Sequence, residues 1–219
     1  MYYGLSPDVY LAEVDGDIVL LDARANAYFC LPRVHTRGVK AALLGNHRFR
    51  PSADLLDELE AAGLFGLIDT PPDAPPVESR ARRDLFRLPG ARARLTPWRA
   101  WLLIRVAVRT RLRLGLFRPR RWLAVVARRN AHGREDDGEC LLALARLARD
   151  IQPFAPAMSS CLPSSLFLLD LLQRHGLRAR WVFGVRTYPF EAHCWVEHDD
   201  IVLNDSLEHV RWFTPIVAV

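Results

Sequence analysis

The sequence has no long apolar run and no export signal. A membrane-spanning helix needs roughly 18 to 20 consecutive apolar residues, and no such stretch occurs in the 219 residues. The first ten residues include Tyr2, Tyr3, Pro7 and Asp8, where a signal peptide would have a basic start and then an apolar run. We therefore expect a soluble chain with no transmembrane segment and a cytoplasmic location.

Cysteine is also scarce. The 4 cysteines form neither a C-x-x-C pair nor a spacing typical of a disulfide framework, and no glycine-rich phosphate loop is present. These absences argue against a disulfide scaffold, a zinc ribbon and a nucleotide-binding loop. Four free thiols are expected, at Cys30, Cys140, Cys161 and Cys194.

The charge is divided into three segments. Residues 77–134 hold 17 arginines against 2 acidic residues, whereas the segments on either side are both acidic. An arginine-rich face is typical of polyanion, nucleotide or membrane-surface binding, but it also fits a solvated helix face or one that docks against the acidic segments. The sequence leaves the role of this segment open, and we expect no nucleic-acid partner.

The first segment predicts a small antiparallel meander followed by helices. Strands are predicted at Val9 to Val14, Ile18 to Leu21 and Tyr28 to Leu31, with a turn at Asp15-Gly16. A short helix around residues 34–44 precedes one capped by Ser52. Three strands with helices indicate a winged-helix-like module.

Proline marks the end of this module. Thr70 to Pro76 has four prolines in seven positions, which favours an extended linker. Helical spacing of apolar residues then predicts helices near 97–114 and 119–129. The predicted domains are residues 1–70, a linker at 71–96, and a second domain at 97–219, which gives an α+β fold class.

The third segment alternates helix and strand. Helices are predicted at Glu139 to Arg149 and Cys161 to His175, and a strand at Arg180 to Arg186. A hairpin of Phe190 to His198 and Ile201 to Asp205 follows.

Cys161 lies where a cysteine can become reactive. Ser159 and Ser160 are good capping residues, and Pro163 is tolerated only in a first helical turn. Cys161 is therefore predicted at a helix amino terminus, where the helix dipole and unpaired N–H groups favour thiolate and can hold an oxyanion.

The hairpin supplies a histidine and a carboxylate. With a three-residue turn, Glu197 pairs with Ile201, so that His193 pairs with Asp205 on one face. A two-residue turn breaks that pairing unless a bulge restores it. Cys194 points to the opposite face, which argues against a metal site, and each residue alone fits a structural role. Together Cys161, His193 and Asp205 form a candidate nucleophile, base and orienting carboxylate.

Two runs carry a family resemblance. CLPSSLFLLDLLQRHGLRARWVFGVR, followed after three residues by FEAHCWVEHDDIVLND, resembles the leader peptidases of lasso peptide biosynthesis, a transglutaminase-like cysteine peptidase family. In that family the catalytic residues are the Cys of the CLPxSL run, the His of the AHxWVE run and the Asp of LND. These correspond to Cys161, His193 and Asp205, and the core is expected to be papain/transglutaminase-like.

The first segment resembles the recognition element of pathways that modify ribosomally made peptides (RiPPs). In such elements the leader peptide adds as a strand beside the third β-strand and packs on a helix. Here the resemblance implies an edge at Ala27 to Leu31 and a helix around Ser52 to Ala62. The implied leader-binding residues are Tyr28, Phe29, Leu31, Leu55 and Leu59, although core packing also explains Leu55 and Leu59.

A chain with both parts resembles the fused lasso peptide B proteins, which implies a reaction and partners. Cys161 would cleave the leader from a precursor peptide and free the core amine. An asparagine-synthetase-like macrolactam cyclase would then close the ring with ATP, so the peptidase itself needs no bound cofactor and ATP acts through the cyclase. A non-catalytic precursor-delivery chaperone and a transglutaminase or acyltransferase remain alternatives, because hydrolysis and transfer share an acyl-enzyme. Gln152 is a candidate second oxyanion donor.

Overall fold

The computed structural model describes residues 2–43, 52–68, 77–90, 96–116, 119–132, 138–152 and 160–219. The strands are β1 (Tyr2–Leu5), β2 (Val9–Val14), β3 (Asp17–Asp22), β4 (Ala27–Leu31), β5 (Phe65–Ile68), β6 (Arg83–Asp84), β7 (Arg180–Arg186), β8 (Glu191–His198), β9 (Ile201–Val202) and β10 (Thr214–Ala218). The helices are α1 (Arg33–Leu43), α2 (Ala53–Ala61), α3 (Pro97–Leu116), α4 (Pro119–His132), α5 (Gly138–Ile151), α6 (Cys161–Arg174) and α7 (Leu207–Val210). This mixture confirms the predicted α+β class.

The predicted antiparallel meander is present as the sheet β2-β3-β4. Asp15 and Gly16 adopt φ of 51° and 92°, the left-handed conformations of a two-residue hairpin turn that glycine and aspartate favour. β4 pairs with β3 on one side and is an edge of this sheet. A second sheet, β1 paired with β5, was not predicted. The winged-helix interpretation stays a prediction.

Both faces of β3 are buried, and each face belongs to a different core. Ile18 and Leu20 pack in a small core with Leu59 of α2. Val19 and Leu21, which point the other way, belong to the large core of the carboxy-terminal half. The amino-terminal sheet therefore packs directly against the rest of the protein.

The carboxy-terminal half is built on a five-stranded sheet of order β10-β7-β8-β9-β6. Its pairs are antiparallel except β6 and β9, which run parallel. Helix α6 packs on β8 and is flanked by α3 and α5. The edge strands β6 and β10 were not predicted.

The predicted domain boundaries stay predictions. The proline-rich stretch from Thr70 to Pro76 lies outside the described residues. Within the predicted linker, Arg83 and Asp84 form β6, and Leu85 N–H donates to the Val202 carbonyl at 2.9 Å. Residues 83–85 of the predicted linker are thus attached to the carboxy-terminal sheet.

The predicted register of the last hairpin is wrong by one residue. Glu197 pairs with Val202, so only Asp199 and Asp200 form the turn. Asp199 has φ of 50°, a left-handed conformation that an aspartate tolerates and that makes the tighter turn possible. The strand predicted to reach Asp205 ends at Val202. Leu203 N–H still donates to the Val196 carbonyl at 2.9 Å, and the chain leaves the ladder at residues 204–205.

The arginine-rich helices occur as predicted, as α3 and α4. Several arginines of this segment pair with acidic residues of the flanking segments, as in Arg120 to Asp8 at 2.7 Å and Arg129 to Asp170 at 3.1 Å. Docking against the acidic neighbours is confirmed for these residues. None of the helices in the described part of the chain is both long and apolar enough to cross a membrane.

Candidate functional site

Cys161 begins helix α6, as the sequence predicts. Ser160 is the capping residue, with extended φ and ψ of −83° and 156°, but its side chain makes no capping hydrogen bond. Ser159, the other predicted cap, lies outside the described residues. The first helical hydrogen bond runs from Ser164 N–H to the Ser160 carbonyl at 3.1 Å. Because Pro163 has no N–H, the amides of Cys161 and Leu162 are the ones that a helix start presents to a ligand.

His193 lies on β8, and its Nε2 is 2.5 Å from Asp205 Oδ2. The two side chains meet despite the shifted register because the chain bends after β9. Asn204 holds that bend: its Oδ1 accepts from Val196 N–H at 2.8 Å, and its Nδ2 donates to Ser165 Oγ at 3.0 Å. The bend brings Asp205 to His193, as a β-bulge would have had to do after a two-residue turn.

The structure brings the three predicted residues together. Besides the contact of His193 with Asp205, the Cys161 side chain lies close enough to the His193 imidazole to raise the pKa of that imidazole. Since Nε2 faces Asp205, Nδ1 is the ring atom available to the thiol. The arrangement is that of a nucleophile, a base and an orienting carboxylate, and the catalytic roles remain a proposal.

The electrostatics of the site favour a Cys161 thiolate beside a His193 imidazolium. A hydrogen bond from the Cys194 thiol, followed by bonds from His193 and the Cys194 backbone N–H, lowers the pKa of Cys161 against the opposing effect of burial. Burial alone would lower the pKa of His193, but hydrogen bonds to Asp205 and Cys161 outweigh it and raise that pKa to about 9. Burial likewise opposes ionisation of Asp205, but its hydrogen bonds lower its pKa.

Cys194 is a site residue that the sequence did not reveal. Its thiol is fully buried, lies 3.7 Å from Ser165 Oγ and lowers the pKa of Cys161. Burial, followed by the hydrogen bond to Cys161, raises the pKa of Cys194 well above the ordinary value, so it acts as the protonated partner. Strand alternation predicted that Cys194 faces away from His193, but the position of the Cys161 sulfur depends on tertiary packing.

His209 is the second residue that was missed. Its Nδ1 is 2.8 Å from Asp205 Oδ2, the same oxygen that faces His193. His193, Asp205 and His209 can each offer one ligand atom within 4.8 Å of the others, which is compatible with a transition-metal site. In the structure these atoms are joined by hydrogen bonds, and the expectation that the chain holds no metal stays a prediction.

The five predicted leader-binding residues differ in accessibility. Leu55 and Leu59 are buried in the small core between α2 and the sheet, whereas Leu31 packs at its margin. Phe29 is exposed on β4. Tyr28 packs at 5.4 Å from the ring of Phe190, and burial, with contributions from Cys194 and Cys161, raises its pKa to about 12. Leader binding by these residues remains a prediction.

A pocket lies beside α6, one turn after Cys161. Gln152, the candidate oxyanion donor, lines it together with Ser164 and Asn204. The rest of the lining is mainly apolar and comes from α3, α5 and α6. Gln152 therefore lies near the start of α6, and its role as a donor stays a prediction.

Parts of this chain are similar to known proteins. A stretch of 48 residues is 44% identical to the Microcin J25-processing protein McjB of Escherichia coli, and it covers 22% of this chain and 23% of that protein. No solved structure matches the chain at a significant level. Residues 104–218, more than half of the chain, match the family described as the transglutaminase-like superfamily. The chain belongs to the transglutaminase-like superfamily.

Proposed function

We propose that this protein is a cysteine peptidase that binds and removes the leader of a ribosomally made lasso-peptide precursor. The observation that carries the proposal is the meeting of Cys161, His193 and Asp205 at the start of α6, where His193 Nε2 lies 2.5 Å from Asp205 Oδ2 and the Cys161 side chain raises the pKa of His193. The superfamily match supports cysteine-based acyl chemistry. The partial likeness to a protein named for processing microcin J25 supports the substrate class.

In the proposed reaction the Cys161 thiolate attacks the carbonyl carbon of the last leader residue. The C–S bond forms as the carbonyl oxygen becomes an oxyanion, which the N–H groups at the start of α6 can stabilise. His193 gives its proton to the departing core amine, and the C–N bond breaks. Water, deprotonated by His193, then hydrolyses the thioester and restores the thiolate.

The position of the amino-terminal sheet supports capture of the leader close to this chemistry. Edge strand β4 carries Tyr28, which touches Phe190 at the entry to β8. The loop before β8 is hydrogen-bonded to the first residue of β3, since Tyr188 Oη donates to Asp17 Oδ2 at 2.8 Å. A leader added beside β4 by strand pairing would be held next to the strand that carries His193.

In this proposal the freed core amine passes to an asparagine-synthetase-like macrolactam cyclase, which uses ATP. On this proposal the peptidase needs no bound cofactor for its own chemistry. The experiment is to incubate a lasso precursor from the same genome with this protein, with and without that cyclase and ATP, and to weigh the products by mass spectrometry. Released leader and a core peptide with a free amine are expected from the wild type.

Cys161→Ala is the decisive variant, with Cys140→Ala as its control because Cys140 is an exposed thiol on α5. Cys161→Ala should release no leader, whereas Cys140→Ala should behave as wild type. Full maturation by Cys161→Ala would contradict the proposal and favour a precursor-delivery chaperone. The superfamily match also fits acyl transfer, and incorporation of an added primary amine in place of leader hydrolysis would favour a transglutaminase.

A further inference from the structure

Two histidines share one carboxylate oxygen at the candidate site. Asp205 Oδ2 lies 2.5 Å from His193 Nε2 and 2.8 Å from His209 Nδ1, while Asp205 Oδ1 accepts from Ser206 N–H at 2.7 Å. A nucleophile, base and carboxylate require only the first of these contacts. The contact to His209 therefore needs its own explanation.

The local sequence fixes His209 in this position. Ser206 caps the short helix α7, and its Oγ accepts from His209 N–H at 3.1 Å. One helical turn separates Asp205 from His209, which brings the imidazole back over the carboxylate. The imidazole of His209 packs edge-to-face with the rings of Trp212 and Phe213, and each ring centroid lies 5.4 Å from the imidazole centroid. His209 is thus held by a cap, a hydrogen bond and two aromatic rings.

The surroundings identify His209 as a donor to Asp205. The nearby charged groups are Asp205 and His193 on one side and Arg186, whose guanidinium stacks on Trp212 and Phe213, on another. At the start of α7, Asp84 Oδ2 accepts from Leu207 N–H. An imidazole facing a carboxylate through Nδ1 donates a proton in its hydrogen bond whether it is neutral or charged.

We propose that His209 is a positioning residue whose Nδ1–H holds the Asp205 carboxylate in the orientation that aligns His193 with Cys161. This inference rests on the proposed peptidase chemistry, because the alignment matters only if Cys161 is the nucleophile. The arrangement resembles the outer contacts that orient a histidine ligand through its carboxylate partner, where loss of the outer contact costs about 10-fold or more in activity.

The test compares two substitutions of His209 in the full chain, with a chelator present so that no metal contributes. In His209→Asn the side-chain amide N–H lies as many bonds from Cα as Nδ1, so it can keep the hydrogen bond. His209→Leu fills similar space and has no donor. His198→Leu is the matched control, since His198 lies 3.5 Å from Asp199 at the far end of β8.

Two readouts are measured: kcat and KM for cleavage of the precursor, and the pH dependence of Cys161 alkylation by iodoacetamide, followed on the Cys161 peptide by mass spectrometry. His209→Leu should lower kcat about 10-fold with KM within about twofold, and should move the alkylation midpoint to higher pH. In His209→Asn, kcat and the alkylation midpoint should both lie close to the wild-type values. His198→Leu should match the wild type.

The inference is overturned if His209→Leu alkylates and cleaves like the wild type, or if Asn is as impaired as Leu while both variants melt at the wild-type temperature. Because alkylation of Cys161 needs no precursor peptide, it tests the positioning role of His209 independently of the proposed peptidase function. If the wild type cleaves no leader, the proposed function is wrong. If the alkylation midpoint of Cys161 still shifts in His209→Leu, the positioning role of His209 stands independently of it.

Discussion

The Cys194 thiol is the largest influence on the pKa of Cys161, and it lowers that pKa. Because a donor stabilises a thiolate relative to a thiol, Cys194→Ala should raise the pKa of Cys161. A hydrogen bond to a charged group contributes about 1.5 to 3 kcal/mol, which corresponds to a shift of about one pH unit or more. The pH midpoint of iodoacetamide alkylation at Cys161 measures this pKa shift, and Cys140→Ala is the control. An unchanged midpoint would show that the Cys194 thiol does not stabilise the thiolate.

The thiolate and imidazolium define a pH window for leader cleavage. At low pH the Cys161 thiolate takes up a proton, so kcat/KM should rise with pH through the lowered pKa of Cys161. At high pH His193 loses the proton needed by the leaving amine, so kcat/KM should fall through the His193 pKa near 9. Values of kcat/KM measured from about pH 4 to 10 should give a bell-shaped pH profile. A rate that still climbs above pH 9 would contradict the ion pair.

Gly184 faces His193 across the β7-β8 pair, and it has no room for a side chain. A Cβ added there would lie 2.8 Å from Phe213 Cβ and 2.8 Å from the Trp195 ring. Phe213 and Trp195 pack beside the His193 ring, so their displacement should disturb His193. Gly184→Ala should destabilise the protein by about 1 to 3 kcal/mol and lower kcat.

The matched control for that variant is Gly66→Ala on β5, where an added Cβ meets no atom within 4 Å. Thermal melting should show a fall of roughly 3 to 10 °C for Gly184→Ala and little change for Gly66→Ala. Equal melting temperatures and equal kcat for the two variants would mean that the rings move aside without cost.

Glu197 is a fully buried carboxylate that joins the chain before β6 to β8. It accepts from Ser79 Oγ at 2.5 Å and Trp195 Nε1 at 2.7 Å, and Arg180 lies at 3.4 Å. Glu197→Ala should lower the free energy of unfolding by about 3 kcal/mol, since Arg180 loses its buried partner. Glu191→Ala, which removes a more exposed ion pair with Arg186 from the same strand, should cost less than about 1 kcal/mol. Urea denaturation measures both, and similar losses would be inconsistent with this role.

Residues with strong backbone preferences made much of the fold predictable. Asp15 and Gly16 marked the β2-β3 turn, and Pro163 marked the first turn of α6, so β2, β3 and the position of Cys161 followed from the sequence. The amphipathic spacing of α3 and α4 was equally clear. Each of these signals is local, because it depends on residues that are neighbours in the chain.

Features set by distant contacts were missed. β6 has two residues and is defined by its parallel partner β9, so no local pattern marks it. The hairpin register depended on whether Asp199 takes a left-handed conformation, which its sequence allows but does not require. Asp205 still reaches His193 because Asn204 anchors the bend to Val196, a contact that pairing rules do not include.

The parallel pairing of β6 with β9 sets a limit on how far the protein can be shortened. A truncated form that starts at residue 97 would lack Ser79, Arg83 and β6, so Glu197 would lose a partner and β9 would become an open edge. Open edges invite association between copies. A stable catalytic fragment should therefore begin upstream of Ser79, and a split-protein design should cut the chain no later than the proline-rich stretch.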